Sequence, residues 1–369
     1  MSLINTRIQN VRANGNLDKN ELRPSRYGGL NLFMQQSDDP AGVLTPELKE
    51  KAEKSIGNVL ETPVIDYDGG VAIGSVRSVT IADDENTSQM FTITFATYAW
   101  GFTIVPAMYM NNEISIQRDF ERKFNKYLYK FGETLDSAAI AALSANKTQV
   151  FADLLNYTQT GNVIQAPWKL RENIIGDINP MLAANDHFGE IHLVGNAGIE
   201  SAIRKMAEKD LYNAENKTLE YSDKILHFST RIANGGTEFA NAYAVQGGSV
   251  GILTRFERES LLGTTMADGT SWGIDTLPML NFPVGTYFYE SKGDFNAIGG
   301  AATADLTRAR KEHYGFAVDV AFITPYNSDP ATIANPIMKF AILKETAEDY
   351  PQIVIANTTL NPVPTEEVV

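Results

Sequence analysis

The stretch MNNEISIQRDFERKFNKYLYKFGETLDSAAIAALSANK, residues Met110–Lys147, decides the fold of this chain. Its apolar residues recur at steps of three and four, which is typical of one apolar helix face: Ile116, Phe120, Phe124, Leu128, Phe131, Leu135 and Ala139. Asn111 or Asn112 is the predicted N-cap, and Gly132 is the only helix breaker inside the stretch. A helix of this length spans roughly 50 Å. Because it lacks a sustained heptad repeat, we expect it to lie across a broad surface rather than in a coiled coil.

The opposite face of this helix is basic. Turning about 100° per residue brings Arg118, Arg122, Lys126 and Lys130 together there, a set called the basic stripe below. Like charges four residues apart repel each other, so a helix keeps such a row most easily when something negative lies against it. A nucleic-acid face is one alternative. The acidic chain and the absence of interleaved aromatic side chains favour a solvated face, or one that pairs with acidic segments of a partner.

Length and composition limit the classes of function. The 369 residues suffice for two domains or for one core with extensions, and 43% hydrophobic with 21% charged residues is typical of globular proteins. No long apolar run and no signal-peptide pattern occur, so we expect no membrane span. The lack of cysteine excludes disulfides and thiol chemistry, and it suits a reducing cytoplasm. A net charge of −14 argues against a protein that grips nucleic acid, although not against one that encloses it.

Residues 1–60 are predicted to form an arm rather than part of a core, because they are polar and broken by glycine and proline. Only Thr45–Val59 has a helical pattern there, with Thr45 as its cap and Pro46 at the first helical position. Two interpretations stay open. The segment is either a flexible terminus or an arm that becomes ordered on a neighbouring subunit.

Two strand patterns precede the long helix. Val71–Ile81 is rich in β-branched residues, and Met90–Val105 alternates between apolar and polar residues. The turn ADDENTS at 82–88 joins them, which predicts a long two-stranded hairpin. One face of its second strand carries Phe91, Ile93 and Phe95. An isolated hairpin is marginally stable in water, so we expect this one to pack on its own domain or to reach a partner.

Mixed helix and strand patterns follow the long helix. The predicted helices are Trp168–Leu182 and Gly198–Lys209. The predicted strands are 190–196, 224–232, a pair at 239–245 and 249–256 around Gly247-Gly248, 282–289, Tyr314–Thr324 and Ile337–Lys344. Residues 260–275 (SLLGTTMADGTSWGID) are predicted to be an exposed loop.

No motif in the chain indicates a specific chemistry. VGNAGIE at 194–200 lacks the third glycine of a dinucleotide fingerprint and the lysine of a P-loop, so a tight strand-to-helix turn is favoured over a phosphate cradle. DYDGG at 66–70 lacks the closing glutamate of a calcium loop. His192 and His227 are predicted to be strand residues, and no HExxH occurs. We therefore predict no catalytic, cofactor-binding or metal-binding residue, and no enzyme.

The order of the predicted elements resembles that of the tailed-phage major capsid proteins, whose fold is called the Hong Kong 97 fold. The most similar stretches are RDFERKFNKYLYKFGETLDSAAIAAL at 118–143 and HLVGNAGIESAIRKM at 192–206. The resemblance covers nearly the whole chain and implies an α+β fold. It implies an N-terminal arm at 1–60, an extended loop at 61–108, a peripheral domain at 109–165 and 301–369 with spine helix 111–146, and a mixed α/β axial domain at 166–300.

This resemblance implies a structural protein that self-assembles into hexamers and pentamers of an icosahedral or prolate shell around double-stranded DNA. The implied partners are other copies of the chain, a portal and a separate scaffolding or auxiliary capsid protein, with no cofactor and no membrane. Because the chain has no long, charged, helical segment at its start, assembly is expected to rely on a separate scaffolding protein or on none. The implied location is the virion capsid, after assembly in the host cytoplasm.

The residues expected to contact neighbouring subunits fall into three groups. An acidic hairpin tip is predicted to meet basic residues of an adjacent subunit, among them the basic stripe, and the 260–275 loop is predicted to approach a symmetry axis. The groups are Asp83, Asp84 and Glu85 at the tip; Arg118, Arg122, Lys126 and Lys130 on the stripe; and Met266, Asp268 and Trp272 in the loop.

Three alternatives remain at this stage. An encapsulin-like compartment protein of the same fold encloses enzymes instead of DNA. A tail-tube or other virion protein forms tubes. An α/β enzyme built on residues 190–275 requires a convergent site with shifted pKa values.

Overall fold

The computed structural model describes residues 3–14, 27–38, 42–55, 57–65, 88–109, 115–148, 157–171, 173–210, 224–278, 280–293, 309–326 and 334–346. Its helices are α1 Leu3–Asn14, α2 Gly28–Ser37, α3 Pro46–Lys54, α4 Ile116–Asn146, α5 Asn173–Ala183, α6 Ala197–Asp210 and α7 Arg258–Leu262. Its strands are β1 Val59–Ile65, β2 Ser88–Thr94, β3 Ala96–Ile104, β4 Thr158–Thr160, β5 Val163–Ala166, β6 Ile191–Gly195, β7 Lys224–Phe228, β8 Glu238–Gln246, β9 Gly251–Arg255, β10 Ser271–Leu277, β11 Phe282–Gly293, β12 Ala309–Ile323 and β13 Ile337–Leu343. The α+β class is confirmed.

The long helix is α4, and its buried face is the predicted one. Phe120, Phe124, Leu128 and Leu135 are fully buried, and at 31 residues the helix is about 46 Å long. It begins at Ile116 rather than at residue 111, because the Ser115 side chain accepts a hydrogen bond from the Arg118 backbone N–H at 3.2 Å. The predicted caps Asn111 and Asn112 lie outside the described residues.

Helix α4 packs on a five-stranded sheet. The strand order is β10-β11-β12-β3, and β9 also pairs with β12. Large aromatic side chains fill the contact: Trp100 of β3 stacks on Phe316 of β12 with ring centroids 3.9 Å apart, and both rings lie near Phe124 of α4. Aromatic pairs of this kind bury large areas, which explains how one helix can be held along a broad sheet.

The second sheet has six strands in the order β4-β5-β13-β8-β6-β7. Alternate residues of β8 serve two cores: Ala240, Ala242 and Ala244 pack with α5 and α6, whereas Tyr243 and Val245 join the core that contains α4. Strands β6 and β7 are parallel and joined through α6. Because both faces of this sheet are covered, all five residues of β6 are buried.

The hairpin differs from the prediction. Strand β1 pairs with β2 in an antiparallel register from Val59↔Thr94 to Ile65↔Ser88, whereas the predicted strand Val71–Ile81 and its turn lie outside the described residues. Met90–Val105 is not one strand. The chain leaves the hairpin at Phe95, whose backbone N–H donates to the Asn58 carbonyl at 2.8 Å, and continues as β3 in the five-stranded sheet.

The described parts of residues 1–60 contribute to the core, contrary to the prediction. Ile4 and Ile8 of α1 and Leu32 and Phe33 of α2 are fully buried in the core that α4 lines. In the sequence, many polar residues lie between these apolar residues, so the helical pattern was not recognised. The predicted helix from Thr45 is confirmed as α3, with Thr45 accepting from the Leu48 backbone N–H, although it ends at Lys54 rather than at residue 59.

Glycines near the start of α2 permit close approach rather than flexibility. A Cβ atom on Gly28 would lie 2.5 Å from the Phe228 carbonyl oxygen, and one on Gly29 would lie 3.1 Å from an Asp136 oxygen. On α4, a Cβ atom on Gly132 would lie 2.9 Å from the ring of Tyr27. The sequence YGG at residues 27–29 and the helix breaker in α4 therefore belong to one contact.

Several smaller predictions need correction. Strands β8 and β9 belong to different sheets and do not pair with each other. Residues 168–182 form a short 3-10 turn followed by α5, in which Pro180 is accommodated. The five-stranded sheet takes β9, β10 and β11 from residues 166–300, and the six-stranded sheet takes β13 from the last section. The sheet boundaries thus do not coincide with the predicted domain boundaries.

Candidate intersubunit surfaces

The basic stripe forms an exposed row on α4. Arg118, Arg122, Lys126 and Lys130 are all exposed. Lys130 lies 3.4 Å from Glu133, whereas the other three make no ion pair with a described residue. The row extends about 18 Å along the helix. Unpaired like charges at this spacing repel, so the stripe has a net field available to an acidic partner.

The acidic hairpin tip lies outside the described residues, so Asp83, Asp84 and Glu85 remain predictions. The base of the hairpin is described. Leu60 and Ile93 are buried there with Phe95 in a small separate core, whereas Val59 and Met90 are 49% and 59% exposed. Phe91 also packs on this core, with its ring 5.6 Å from that of Tyr326, so the described hairpin is anchored toward one end.

One buried guanidinium anchors this base to the body. Arg255 of β9 donates from Nε and Nη2 to one Asp319 oxygen, at 3.2 and 2.7 Å, and from Nη1 to the Ser55 hydroxyl at 3.2 Å and to the Gly57 carbonyl. Its guanidinium carbon lies 4.6 Å from the centroid of the Phe95 ring. A side chain with five donors in a rigid fork suits this role. Arg255 is not among the residues predicted from the sequence, where its only signal is a charge at the end of an apolar strand.

Residues 260–275 are more ordered than the predicted loop. They comprise the end of α7, a turn at 263–270 and the start of β10, an edge strand of the sheet that carries α4. The Met266 backbone N–H donates to the Thr270 carbonyl at 2.7 Å, and Asp268 accepts from the Thr270 N–H at 2.9 Å. That backbone hydrogen bond is the main reason why the pKa of Asp268 lies below its usual range.

The surface of this segment is apolar and is called the apolar tip below. Leu261, Leu262, Met266 and Ile274 are 46%, 65%, 45% and 37% exposed. Trp272 is half-buried against Tyr287, with ring centroids 5.2 Å apart. In the sequence, the signal for this surface is a pair of adjacent leucines within a predicted loop, and neither leucine was among the predicted contact residues. The apolar tip and the basic stripe share no hydrogen bond, ion pair or ring contact among the described residues.

The glycine-containing segment 194–200 is a tight turn, as predicted. The Asn196 side-chain oxygen accepts from the backbone N–H groups of Gly198 and Ile199, at 3.1 and 3.4 Å, and so occupies the N-terminus of α6. A Cβ atom on Gly195 would lie 2.8 Å from Ile199. The donors that a phosphate would need are already satisfied, and the glycines serve close helix–strand contact.

Two histidines meet on neighbouring strands. His192 Nδ1 and His227 Nε2 are 3.1 Å apart, and both side chains are buried. Burial, with His192 adjacent, lowers the pKa of His227 to about 4. Within the described ranges no three His, Asp or Glu side chains are grouped so that they could hold a metal ion. None of the described helices combines the length and apolar character that a membrane crossing requires.

Comparisons with known proteins give similarity in structure alone. No family model and no curated protein matches the sequence. The chain is similar to one in the solved structure "Cyanophage Pam1 capsid asymmetric unit", at 12% identity over 80% of this chain and 87% of that chain, with a TM-score of 0.46.

Two other solved structures are similar to the same extent. The chain matches one from "Mycobacterium phage Che8" at 10% identity, over 81% of this chain and 88% of that chain, with a TM-score of 0.45. It matches one from "Capsid of native GTA particle computed with C5 symmetry" at 12% identity, over 83% and 92%, with a TM-score of 0.44.

Proposed function

We propose that this chain is a structural shell protein, a major capsid protein that assembles into hexamers and pentamers around double-stranded DNA. The observation that carries the proposal is the hairpin β1–β2, whose described contacts with the body lie toward its base. It is followed by β3 and then by the 31-residue helix α4, whose basic face is largely unpaired. Both features need partners outside the chain. A protein whose work is mechanical association accounts for them without any catalytic group.

The hairpin supplies the first part of the argument. It forms a two-stranded sheet separate from the other two, and a two-stranded sheet is marginal in water by itself. Beyond Leu60 and Ile93, its described side chains are exposed or half-buried. A neighbouring subunit that covers this surface buries apolar side chains such as Met90. Each Å² of apolar surface removed from water stabilises the contact by about 25 cal/mol. The hairpin therefore acts as an intersubunit tie.

Charge supplies the second part. The basic stripe is exposed and largely unpaired, and the hairpin tip carries Asp83, Asp84 and Glu85 in sequence. We infer that the tip of one subunit meets basic residues of its neighbour, with the stripe as the leading candidate. Charge complementarity of this kind sets register and the rate of encounter more than affinity.

Charge reversal tests this pairing. Changing Arg118, Arg122 and Lys126 to glutamate should slow assembly at low salt and leave folding unchanged, because all three side chains are exposed. Reversing Asp83 and Asp84 to lysine should have a similar effect, and the combined variant should recover assembly. Light scattering during assembly from low to high ionic strength measures this. Unchanged assembly of the tip variant at every salt concentration contradicts the pairing.

The apolar tip provides a further contact surface. Its four exposed aliphatic side chains lie at an edge of the sheet that carries α4, within the predicted axial segment 166–300. We keep the approach of residues 260–275 to a symmetry axis as a proposal. A capsomer structure in which Met266, Asp268 and Trp272 lie far from every axis contradicts it.

The partners follow from this function. We propose self-association into hexamers and pentamers, a portal at one vertex, a separate scaffolding or auxiliary protein, and non-specific enclosure of DNA. The net charge of −14 keeps a polyanion from adhering to the shell. The corresponding location is the virion capsid, with assembly in the host cytoplasm.

One experiment separates the functional classes. The chain is expressed, purified by size and imaged by electron microscopy, with nucleic acid and copurifying protein measured in the particles. Closed shells built from hexamers and pentamers support the proposal. Shells that retain a cargo enzyme indicate a compartment protein, tubes indicate a tail-tube protein, and a small oligomer with no particle contradicts a shell function.

A further inference from the structure

A rigid turn displays one aromatic side chain. Phe188 precedes β6 and is 66% exposed, the largest exposure among the large apolar residues that the structure describes. The His187 ring nitrogen lies 2.8 Å from the Ala334 carbonyl, and Gln246 donates to the Phe188 carbonyl at 2.5 Å. The His187 backbone N–H donates to the Leu182 carbonyl at 3.0 Å. These hydrogen bonds hold the backbone at Phe188 in place before any partner binds. The loss of conformational entropy on binding is therefore smaller.

An apolar cavity of about 210 Å³ lies on the same sheet. It lies between α6 and the strands β6 and β7. Its apolar lining includes Leu193, Ile199, Ile203, Leu226 and Phe228. An apolar cavity of roughly 150 Å³ can hold a benzene molecule, so this one has room for a phenyl ring.

The rest of the cavity lining is compatible with an aromatic ring. Among the described residues, Glu200 is the one carboxylate in the lining, and Leu226, which also lines the cavity, is 38% exposed. His227 also lines it, and since burial lowers the pKa of this residue to about 4, its ring is uncharged at neutral pH.

We propose that Phe188 of one subunit inserts into this cavity of a second copy of the chain. The cavity includes Gly195 and Asn196 at the carboxyl end of β6, whereas Phe188 lies beyond its amino end. Because β6 is about 17 Å long, the two halves of the contact are on different parts of the subunit. Such a contact is head-to-tail, and successive copies related in this way close into a ring or continue as a filament.

The inference rests on the proposed shell function, because hexamers and pentamers are closed head-to-tail rings. It adds the residues that join neighbours within one ring. The hairpin and the basic stripe are separate from this contact, since they belong to β1, β2 and α4. A buried aromatic anchor of this kind is typical of the few residues that dominate an interface.

Cysteine cross-linking tests the contact directly, because the chain contains no cysteine of its own. Two single variants of different tag length, Phe188→Cys and Leu226→Cys, are mixed, assembled and oxidised. A heterodimer in a non-reducing gel is the expected result, since it can form only between chains. The matched control replaces Phe188→Cys with Met108→Cys, a residue that is 46% exposed on another element. A heterodimer yield no higher than this control overturns the inference.

Truncation gives a second readout. Phe188→Ala should raise the subunit concentration required for ring formation about tenfold or more, whereas Phe188→Leu should raise it less and Met108→Ala should leave it unchanged. Circular dichroism melts of all three should match the unsubstituted chain. If Phe188→Ala assembles at the original concentration, the inference fails and the shell function stands. If the unsubstituted chain forms no particle, the proposed function itself fails.

Discussion

At the scale of single residues, Asp136 shows how the fold is joined. This buried carboxylate on α4 accepts from the Leu30 backbone N–H at 3.1 Å and from the Ser229 hydroxyl at 2.6 Å. Arg231 Nε lies 4.0 Å away. The residue therefore connects the long helix to α2 and to the chain that follows β7. Burial raises the pKa of Asp136 despite these partners.

Two substitutions of Asp136 should distinguish the contribution of its hydrogen bonds to stability from the contribution of its charge. Asp136→Ala leaves the Leu30 N–H and the Ser229 hydroxyl without their acceptor, so we expect a loss of about 2–4 kcal/mol in the free energy of unfolding. Asp136→Asn keeps one acceptor oxygen and should cost less. Urea unfolding monitored by circular dichroism measures both. Equal losses in the two variants contradict this account.

The pH dependence has a defined sign. Because the folded-state pKa of Asp136 is raised, the folded chain holds its proton to higher pH than the unfolded chain does. The contribution of this residue to stability is therefore largest below the unfolded pKa and falls as the pH rises through the folded value. Asp136→Asn removes that decline, so the stability difference between the two chains should shift in favour of the variant as the pH rises. Parallel pH profiles contradict this assignment.

Two helical glycines provide a matched pair. Alanine usually stabilises a helix interior by about 1 kcal/mol relative to glycine. Gly176→Ala on α5 should show this gain, because a Cβ atom there meets nothing within 4 Å. Gly132→Ala on α4 should instead destabilise, because its Cβ would lie 2.9 Å from the buried Tyr27 ring. Thermal melts compare them directly, and a stabilising Gly132→Ala contradicts the close contact.

At the scale of elements, the hairpin β1–β2 is held in its orientation by contacts at its base. The small core around Leu60, Ile93 and Phe95 holds the first residues of β1 and the last of β2, and Arg255 adds hydrogen bonds to both the hairpin side and β12. The next residues add two contacts with the body: the Lys51 ammonium donates to the Glu61 carbonyl at 2.5 Å, and the Phe91 and Tyr326 rings lie 5.6 Å apart. Farther along the described ladder no side-chain hydrogen bond or ring contact with the body is present, so we expect that end to open locally.

Loss of Arg255 should loosen the hairpin selectively. In Arg255→Met, Asp319 is left without its buried cation, and we expect faster amide exchange in 59–65 and 88–94 than in α4. Hydrogen-exchange mass spectrometry locates the change. Arg310→Gln is the control on β12, the strand of Asp319, because Arg310 is exposed and its partners are Glu290 and Glu312 rather than any residue of the hairpin. Uniformly faster exchange across the chain indicates that Arg255 stabilises the whole fold instead.

At the scale of the whole molecule, two sheets share one large core. Alternate residues of β8 reach α4 on one side and α5 with α6 on the other, so the six-stranded sheet lies between them. The exposed apolar side chains are concentrated at margins of this body, among them the apolar tip and the hairpin. Under the proposed shell function, we expect neighbouring subunits to contact these exposed side chains.

Substitution of the apolar tip should weaken assembly without unfolding the subunit. Leu262→Ser with Met266→Ser removes apolar surface that the single chain leaves in water, and exposed substitutions change stability by no more than about 0.5 kcal/mol. The subunit concentration needed for assembly should rise at least about tenfold. Met108→Ser is the exposed control. Sedimentation velocity measures the assembled fraction, and an unchanged fraction contradicts a contact at the tip.

The sequence predicted the elements whose pattern is local. The apolar face of α4, the cap at Thr45, the strand-turn-helix at β6–α6 and the α+β class all follow from residue spacing, because helices and strands have fixed periods. Only some of the candidate contact residues could be predicted from local residue spacing. The exposure of the basic stripe follows from the same helical period, and the tip residues Asp83, Asp84 and Glu85 stay predictions.

Only the tertiary structure decided which elements meet. The helices α1 and α2 of residues 1–60 pack in the core, and Met90–Val105 is divided between two sheets. Gly132 contacts Tyr27, which is more than a hundred positions away in the sequence. The physical reason is that strand pairing and close contact depend on surfaces distant in sequence, which a local period does not contain. The long stretch at residues 110–147 thus determined its own helix and, through Ser115, where that helix begins, whereas residues distant in sequence determined which sheet it packs on.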